Sequence, residues 1–217
     1  MEENKTNVIR GKFIVIEGID KAGKTTLSNH LIKTINCVRV AFPDRNTPSG
    51  QKINEFLKTG NYELNQEDTE KYNFYLKHFH KSNESKNLVK FWKMQCLFYE
   101  NRVEKQEFIK SKLDEGVNII CDRYSISGIV YSSANGIDMD YCINMESDLI
   151  QPDITIFLNV LPKQASDRCN DTNEIYENLK FQTKVYEKYQ YFKDKMVFIE
   201  GKEEDVYLKA IKHINKH

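Results

Sequence analysis

The chain has 217 residues and a mass of 25.6 kDa, enough for one domain with a sizeable core. Apolar residues make up 40% and charged residues 29%, which excludes a collagen-like, mucin-like or wholly disordered chain. Thirty-two basic residues cancel 32 acidic ones, so no global basic field exists to hold a nucleic-acid backbone.

In chain order, Lys12–Glu17 (KFIVIE) reads as a short buried strand that ends at Gly18. A helix is expected from about Gly23 through Leu27, Leu31 and Ile35, whose spacing of four places them on one face. Cys37–Phe42 reads as a second strand stopped by Pro43, and Gln51–Lys58 as a helix with Ile53, Phe56 and Leu57 on its apolar side. Residues Tyr62–Lys90 break the pattern. They are dense in Lys, Glu and Asn and read as a surface insertion without catalytic residues, in which Tyr72, Phe74, Tyr75 and Phe79 mark a partly packed helix ahead of an exposed loop, Lys81–Lys86. Helices are expected over Phe91–Glu115, Ser125–Ser133, Lys163–Arg168, Glu174–Lys193 and Glu203–Ile214, and further strands over Val117–Cys121, Ile154–Val160 and Met196–Ile199. Short apolar strands alternating with amphipathic helices predict an α/β chain of one domain: a five-stranded parallel sheet flanked by helices.

No run approaches the ~18 apolar residues of a membrane span, and Met1–Arg10 lacks the apolar core of a signal peptide. The five cysteines, Cys37, Cys96, Cys121, Cys142 and Cys169, are odd in number and form no CxxC pair. A reducing compartment follows, the cytoplasm or nucleus rather than a secreted location. The five histidines fall outside every motif and read as surface or insertion residues.

Gly18-Ile19-Asp20-Lys21-Ala22-Gly23-Lys24-Thr25 is GxxxxGK[ST] set between an apolar strand and an amphipathic helix, the context of a phosphate-binding P-loop. The glycines let the backbone curl so that successive N–H groups face phosphate oxygens. Lys24 would reach the β/γ-phosphates of ATP, and Thr25 would offer its hydroxyl to Mg²⁺, with Thr26 following at the helix N-terminus. The chain has no NKxD motif, which excludes a guanine-specific switch GTPase, and it is too short for a motor or helicase. Asp122-Arg123-Tyr124 follows a strand; the carboxylate suits organisation of Mg²⁺ from behind its direct ligands, and the arginine suits a phosphate fork. Of the 32 basic residues only six are arginines: Arg10, Arg39, Arg45, Arg102, Arg123 and Arg168. In a background of lysine, an arginine more often answers a need for a planar fork.

The segments EGIDKAGKTT, FPDR, LFYENR, CDRYSISGIVYS, PDITIFLNV and EIYEN, in this order, resemble the thymidylate (dTMP) kinases of the nucleoside monophosphate kinase group. The resemblance implies ATP + dTMP → ADP + dTDP, with Mg²⁺ and usually a homodimer. It implies that Asp20 contacts the acceptor sugar, that Arg45 and Arg123 hold the acceptor phosphate, and that Phe98 stacks on thymine. Arg102 would bond the base, Ser127 and Gly128 would lie beside it, and Phe42 and Leu57 would line the same site. Tyr131 would crowd the 2′ position, Arg168 would head a lid over ATP, and Tyr176 would close over the sugar. Lys21 stands where eukaryotic-type members carry Arg, which leaves Lys21 and Arg168 as alternative sources of transition-state charge. Val103 stands where many relatives have an aromatic residue. Two other readings stay open at this level: a deoxynucleoside kinase, which FPDR disfavours, and a non-catalytic P-loop module.

Overall fold

The computed structural model describes residues 9–61, 63–79, 87–168 and 179–216. Five strands, β1 (Phe13–Glu17), β2 (Cys37–Ala41), β3 (Asn118–Asp122), β4 (Ile154–Leu158) and β5 (Val197–Ile199), form one parallel sheet in the order β2-β3-β1-β4-β5. All five residues of β1 and of β4 are buried, because helices cover both faces of a parallel sheet. Alternation splits β1 between two cores: Ile14 and Ile16 pack on one face, and Phe13 and Val15 on the other.

The chain runs from β1 through α1 (Lys24–Leu31) to the edge strand β2, then returns to place β3 beside β1 before crossing to β4. That reversal of strand order opens a crevice at the carboxyl ends of β1 and β3, where ligands bind in open α/β sheets.

The remaining helices are α2 (Pro48–Thr59), α3 (Gln66–His78), α4 (Leu88–Val103), α5 (Gln106–Asp114), α6 (Ser125–Ala134), α7 (Met139–Met145), α8 (Pro162–Ser166), α9 (Leu179–Tyr189) and α10 (Glu203–Lys216). A 3₁₀ segment, Gln190–Lys195, follows α9.

Three expectations need correction. The single helix predicted over Phe91–Glu115 is two helices, α4 and α5. Their junction is pinned to the first turn of α2 and the loop before it: Glu104 accepts from the Ser49 hydroxyl at 2.7 Å, and Lys105 pairs with Asp44 at 2.7 Å. Helix α7 was not predicted; Asp138 caps it by accepting the Tyr141 N–H at 2.9 Å. The segment read as a surface insertion contains the partly packed helix expected there, α3, and departs from the expectation only in the depth of one anchor. Asn65 and Asp68 form a capping box at the start of α3, and Tyr75 is 0% exposed, with its hydroxyl accepting the Asp138 N–H at 3.1 Å. The loop predicted at Lys81–Lys86 lies outside the described residues.

Candidate active site

The loop between β1 and α1 is shaped by backbone conformations that only a few residues adopt. Gly18 and Gly23 have φ of 150° and 99°, and Lys21 has φ 62° without being glycine. A left-handed L-residue costs about 1–2 kcal/mol, a strain of the kind that clusters at ligand clamps. The curl leads into the first turn of α1, whose N–H groups and partial positive charge favour an anion. Lys24 opens that helix. Its side chain is buried and its ammonium donates to the Ile19 carbonyl at 2.7 Å. Burial, and secondarily the nearby charge of Arg123, lowers its pKa to about 7. Thr25 donates its hydroxyl proton to Asp122 Oδ2 at 2.7 Å.

On one side of the loop lies a pocket of about 150 Å³. It is lined by Asp20, Phe42, Arg45, Leu57, Phe98, Arg102, Arg123, Ser127, Gly128 and Tyr131, ten residues that the sequence reading assigned to the acceptor. Arg45 comes from the loop after β2 and Arg123 from the loop after β3, so two separate crossings deliver guanidinium groups to one cavity. Arg123 sits at φ 67°, a second strained non-glycine residue. Its side chain donates to Asp20 and to the Gly18 carbonyl at 3.1 Å, and lies over the Tyr131 ring with 5.0 Å to the centroid. Tyr131 donates to Asp20 Oδ1 at 3.0 Å; burial pushes its phenol well above the ordinary range. Arg45 donates to Asn54 of α2.

Two of these side chains are more committed to the protein than the sequence suggested. The Arg102 guanidinium is 2% exposed and forms a two-armed pair with Glu146, one arm being Nε to Oε2 at 2.7 Å. The desolvation of such a pair is offset only when its remaining atoms are bonded, and Gln95 supplies one further donor to Glu146 at 2.9 Å. Burial nonetheless raises the Glu146 pKa, with Arg102 opposing the shift. The Ser127 hydroxyl donates to Glu17 and contacts the Tyr189 hydroxyl at 2.9 Å.

A second cavity of about 300 Å³ lies on the other side of the loop, lined in part by Ala22, Gly23, Thr26, Val160, Arg168 and Gly201. His30, expected at the surface, is half-buried against it. Arg168 donates to the Lys21 carbonyl at 3.3 Å, which places the guanidinium against the phosphate loop. Tyr176 lies outside the described residues.

Several site residues escaped the sequence reading. Gln182 of α9 donates to Asp20 Oδ2 at 2.7 Å and accepts the Asp20 N–H at 3.1 Å. Glu17, 0% exposed, accepts the N–H groups of Tyr124 and Ser127 at 3.0 and 3.1 Å and the Tyr189 hydroxyl at 2.9 Å. Asn101, also 0% exposed, donates to the Asp44 carbonyl at 3.1 Å and accepts the Asp44 N–H at 2.7 Å, fixing the loop that carries Arg45. Glu17 left a signal as the charge closing an apolar strand that precedes a phosphate loop, and Asn101 lies within the LFYENR segment beside Arg102. Gln182 is a polar residue on a helix outside every quoted segment, and only the fold shows which way it and Asn101 face.

A phosphate loop with a cavity on either side, and two arginines converging on one of them, defines a P-loop phosphotransferase that holds two ligands against one loop. The sequence model of the family described as Thymidylate kinase matches residues 16–209. The chain is 36% identical to a thymidylate kinase of Plasmodium falciparum, over 95% of this chain and 91% of that one. It is 35% identical to a thymidylate kinase of Dictyostelium discoideum, over 87% of this chain and 76% of its relative. The solved structure of a Candida albicans thymidylate kinase superposes with a TM-score of 0.75 at 28% identity, covering 95% of this chain and 92% of that chain. The chain belongs to the thymidylate kinase family.

Proposed function

We propose that this chain transfers the γ-phosphoryl group of ATP to dTMP, giving ADP and dTDP in the supply of dTTP. The observation that carries the reading is the arrival of Arg45 and Arg123 in one pocket beside the phosphate loop. Two anionic phosphates must meet in line, so the acceptor phosphate needs its own cations as much as the donor does. That phosphate is already ionised at neutral pH, and no strong base is required. Asp20 fits this economy: its carboxylate is occupied by Arg123, Tyr131 and Gln182, which suits holding a sugar hydroxyl better than taking a proton. The deoxynucleoside kinase reading calls for a carboxylate free to accept a proton, and Asp20 is poorly placed for that.

In this reading Phe98 stacks on the thymine ring, Phe42 and Leu57 complete the apolar wall, and Arg102 addresses the base from its fixed pairing with Glu146. Ser127 and Gly128 leave room beside the base, and Tyr131 crowds the 2′ position. ATP lies along Gly18–Thr26 with its adenosine in the second cavity. Lys24 contacts the β- and γ-phosphates, while Arg168 and Lys21 add charge over the loop. Thr25 and Asp122 fit a hard divalent cation, since both offer oxygen and the Thr25 proton already points to Asp122, leaving its lone pairs for a cation. Mg²⁺ would supply neutralisation of the β/γ oxygens there.

We further propose a homodimer and a location in the cytoplasm or nucleus. The first rests on the family likeness; sedimentation of the purified protein checks it. The second rests on four cysteines that are free among the described residues. No helix among them is long and apolar enough to cross a membrane. A nucleotide panel tests the activity: each nucleoside and monophosphate is offered with ATP and Mg²⁺ and scored for ADP. Formation of ADP with dTMP and none with thymidine is expected. The reverse pattern would replace the reading with a nucleoside kinase.

A further inference from the structure

The resemblance to the family uses four of the six arginines and leaves Arg10 and Arg39 without a role. Arg10 pairs with Asp153 at 2.7 Å near the opposite end of β1 from the phosphate loop. Arg39 is different. It lies on the edge strand β2, where Val38 and Val40 pack against one core, so alternation turns Arg39 to the other face, towards α1.

There the guanidinium bridges two partners. Nη2 donates to Asp122 Oδ2 at 3.3 Å, and Nε donates to the Ser28 hydroxyl at 2.9 Å. Ser28, 0% exposed, donates in turn to the Thr25 carbonyl at 3.0 Å. Thr25 closes the circuit by donating its own hydroxyl to the same Asp122 oxygen at 2.7 Å. Both ends of Thr25, hydroxyl and carbonyl, are thus tied through Asp122 and Ser28 to one arginine fork. Asp122 Oδ2 receives a donor from each side, and its 7% exposure leaves little water to hold it otherwise.

We propose that Arg39 is a positioning residue for the divalent cation: its fork sets the carboxylate of Asp122 and, through it, the orientation of the Thr25 hydroxyl. The role rests on the reading of Thr25 and Asp122 as the cation-holding pair. A lysine could not replace the arginine, because a single ammonium cannot span Ser28 and Asp122 in the same plane. Groups that orient a metal ligand from behind typically account for 10–100-fold in metal affinity.

The test measures ADP binding by calorimetry with and without Mg²⁺, in wild type, Arg39→Met, Arg39→Lys and Ser28→Ala. Wild type should bind ADP more tightly with Mg²⁺. Arg39→Met and Arg39→Lys should match wild type without Mg²⁺ and lose about tenfold with it. The Mg²⁺ concentration for half-maximal turnover should rise by a similar factor while the KM for dTMP stays fixed. Ser28→Ala keeps the Arg39 charge but removes one anchor of its fork, and should show a smaller loss of the same kind. If Arg39→Met keeps the full Mg²⁺ increment, or if it weakens ADP equally in both conditions, Arg39 has no positioning role. If Arg39→Lys equals wild type, charge alone suffices and the fork argument falls. If wild type itself gains nothing from Mg²⁺, the assignment of Thr25 and Asp122 fails first.

Discussion

The Lys24 ammonium donates to the carbonyl of Ile19, five positions earlier in the same loop, at 2.7 Å. The lysine closes over the curl of its own backbone. Burial holds its pKa down to about 7, against an ordinary value of 10.5. Between these values the unfolded chain binds a proton that the folded chain lacks. This group therefore makes stability rise with pH from about 7 towards 10.5, and the full penalty for burying the charge is present below 7. A phosphate bound in the loop would supply a counter-charge and raise that pKa again. ADP binding at pH 8 should take up close to one proton per site, read by calorimetry in buffers of different ionisation enthalpy. Lys24→Met should show no such uptake and should lose on the order of 10²–10³-fold in turnover. Uptake persisting in that variant would assign the proton to another group.

Arg45→Lys tests the acceptor clamp. Lysine keeps the charge but loses the planar fork, so the acceptor phosphate shifts in the site. A displacement of ~1 Å costs on the order of 10²-fold in rate. The KM for dTMP should rise and kcat should fall, while the affinity for ATP stays near that of wild type. An unchanged KM would remove Arg45 from the clamp.

Gly128 tests the packing of the buried Arg102–Glu146 pair. A Cβ built there would meet Arg102 Nη2 at 2.4 Å and Glu146 Oε1 at 2.5 Å. Both side chains are long, yet both are 2% exposed and bonded to each other, so neither has space to withdraw. Gly128→Ala should cost about 2 kcal/mol through overpacking, roughly 4–8 °C in Tm for a chain of this size. The KM for dTMP should rise with it. A melting curve at the wild-type position would mean that the pair has room to move.

Tyr75 tests whether α3 is dispensable. Its ring is buried against Tyr141, with centroids 4.7 Å apart, and its hydroxyl holds the capping segment of α7. Tyr75→Ala should cost about 4 kcal/mol, as large-to-small changes at buried aromatic sites do, or roughly 8–16 °C in Tm. Replacing residues 65–83 by a Gly/Ser linker should destabilise the protein at least as much. A linker variant that melts with wild type would restore the reading of a detachable insertion.

The sheet was legible in the sequence because its strands are short apolar runs closed by Gly, Pro or Asp, and every observed strand lies within two residues of its predicted bounds. The phosphate loop and the DRY segment were legible because their chemistry demands particular residue types at fixed spacing. What failed depended on contacts distant in sequence. At the break between α4 and α5, Glu104 and Lys105 reach the first turn of α2 and the loop before it, and helix periodicity carries no trace of that. Tyr75 looked like one aromatic among four in a polar segment. Its burial becomes visible only once α7, itself too short to announce its periodicity, is in place. Among the site residues, Gln182 could not be found because it meets Asp20 across 162 positions of chain.

The Glu17 carboxylate receives Tyr124 and Ser127 from the start of α6 and Tyr189 from the end of α9, up to 172 positions away. Tyr124 donates through its backbone N–H, which a substitution leaves in place, but Ser127 and Tyr189 donate through their hydroxyls. Substitutions at Ser127 and Tyr189 therefore share one acceptor, and effects of residues in one bonded network do not add. A lineage that exchanged Tyr189 alone, or the carboxylate alone, would leave buried donors or acceptors unmatched beside the phosphate loop. Change at Glu17, Ser127 or Tyr189 is expected to be conditional on the other two, so that three sites spread across most of the gene drift as one character.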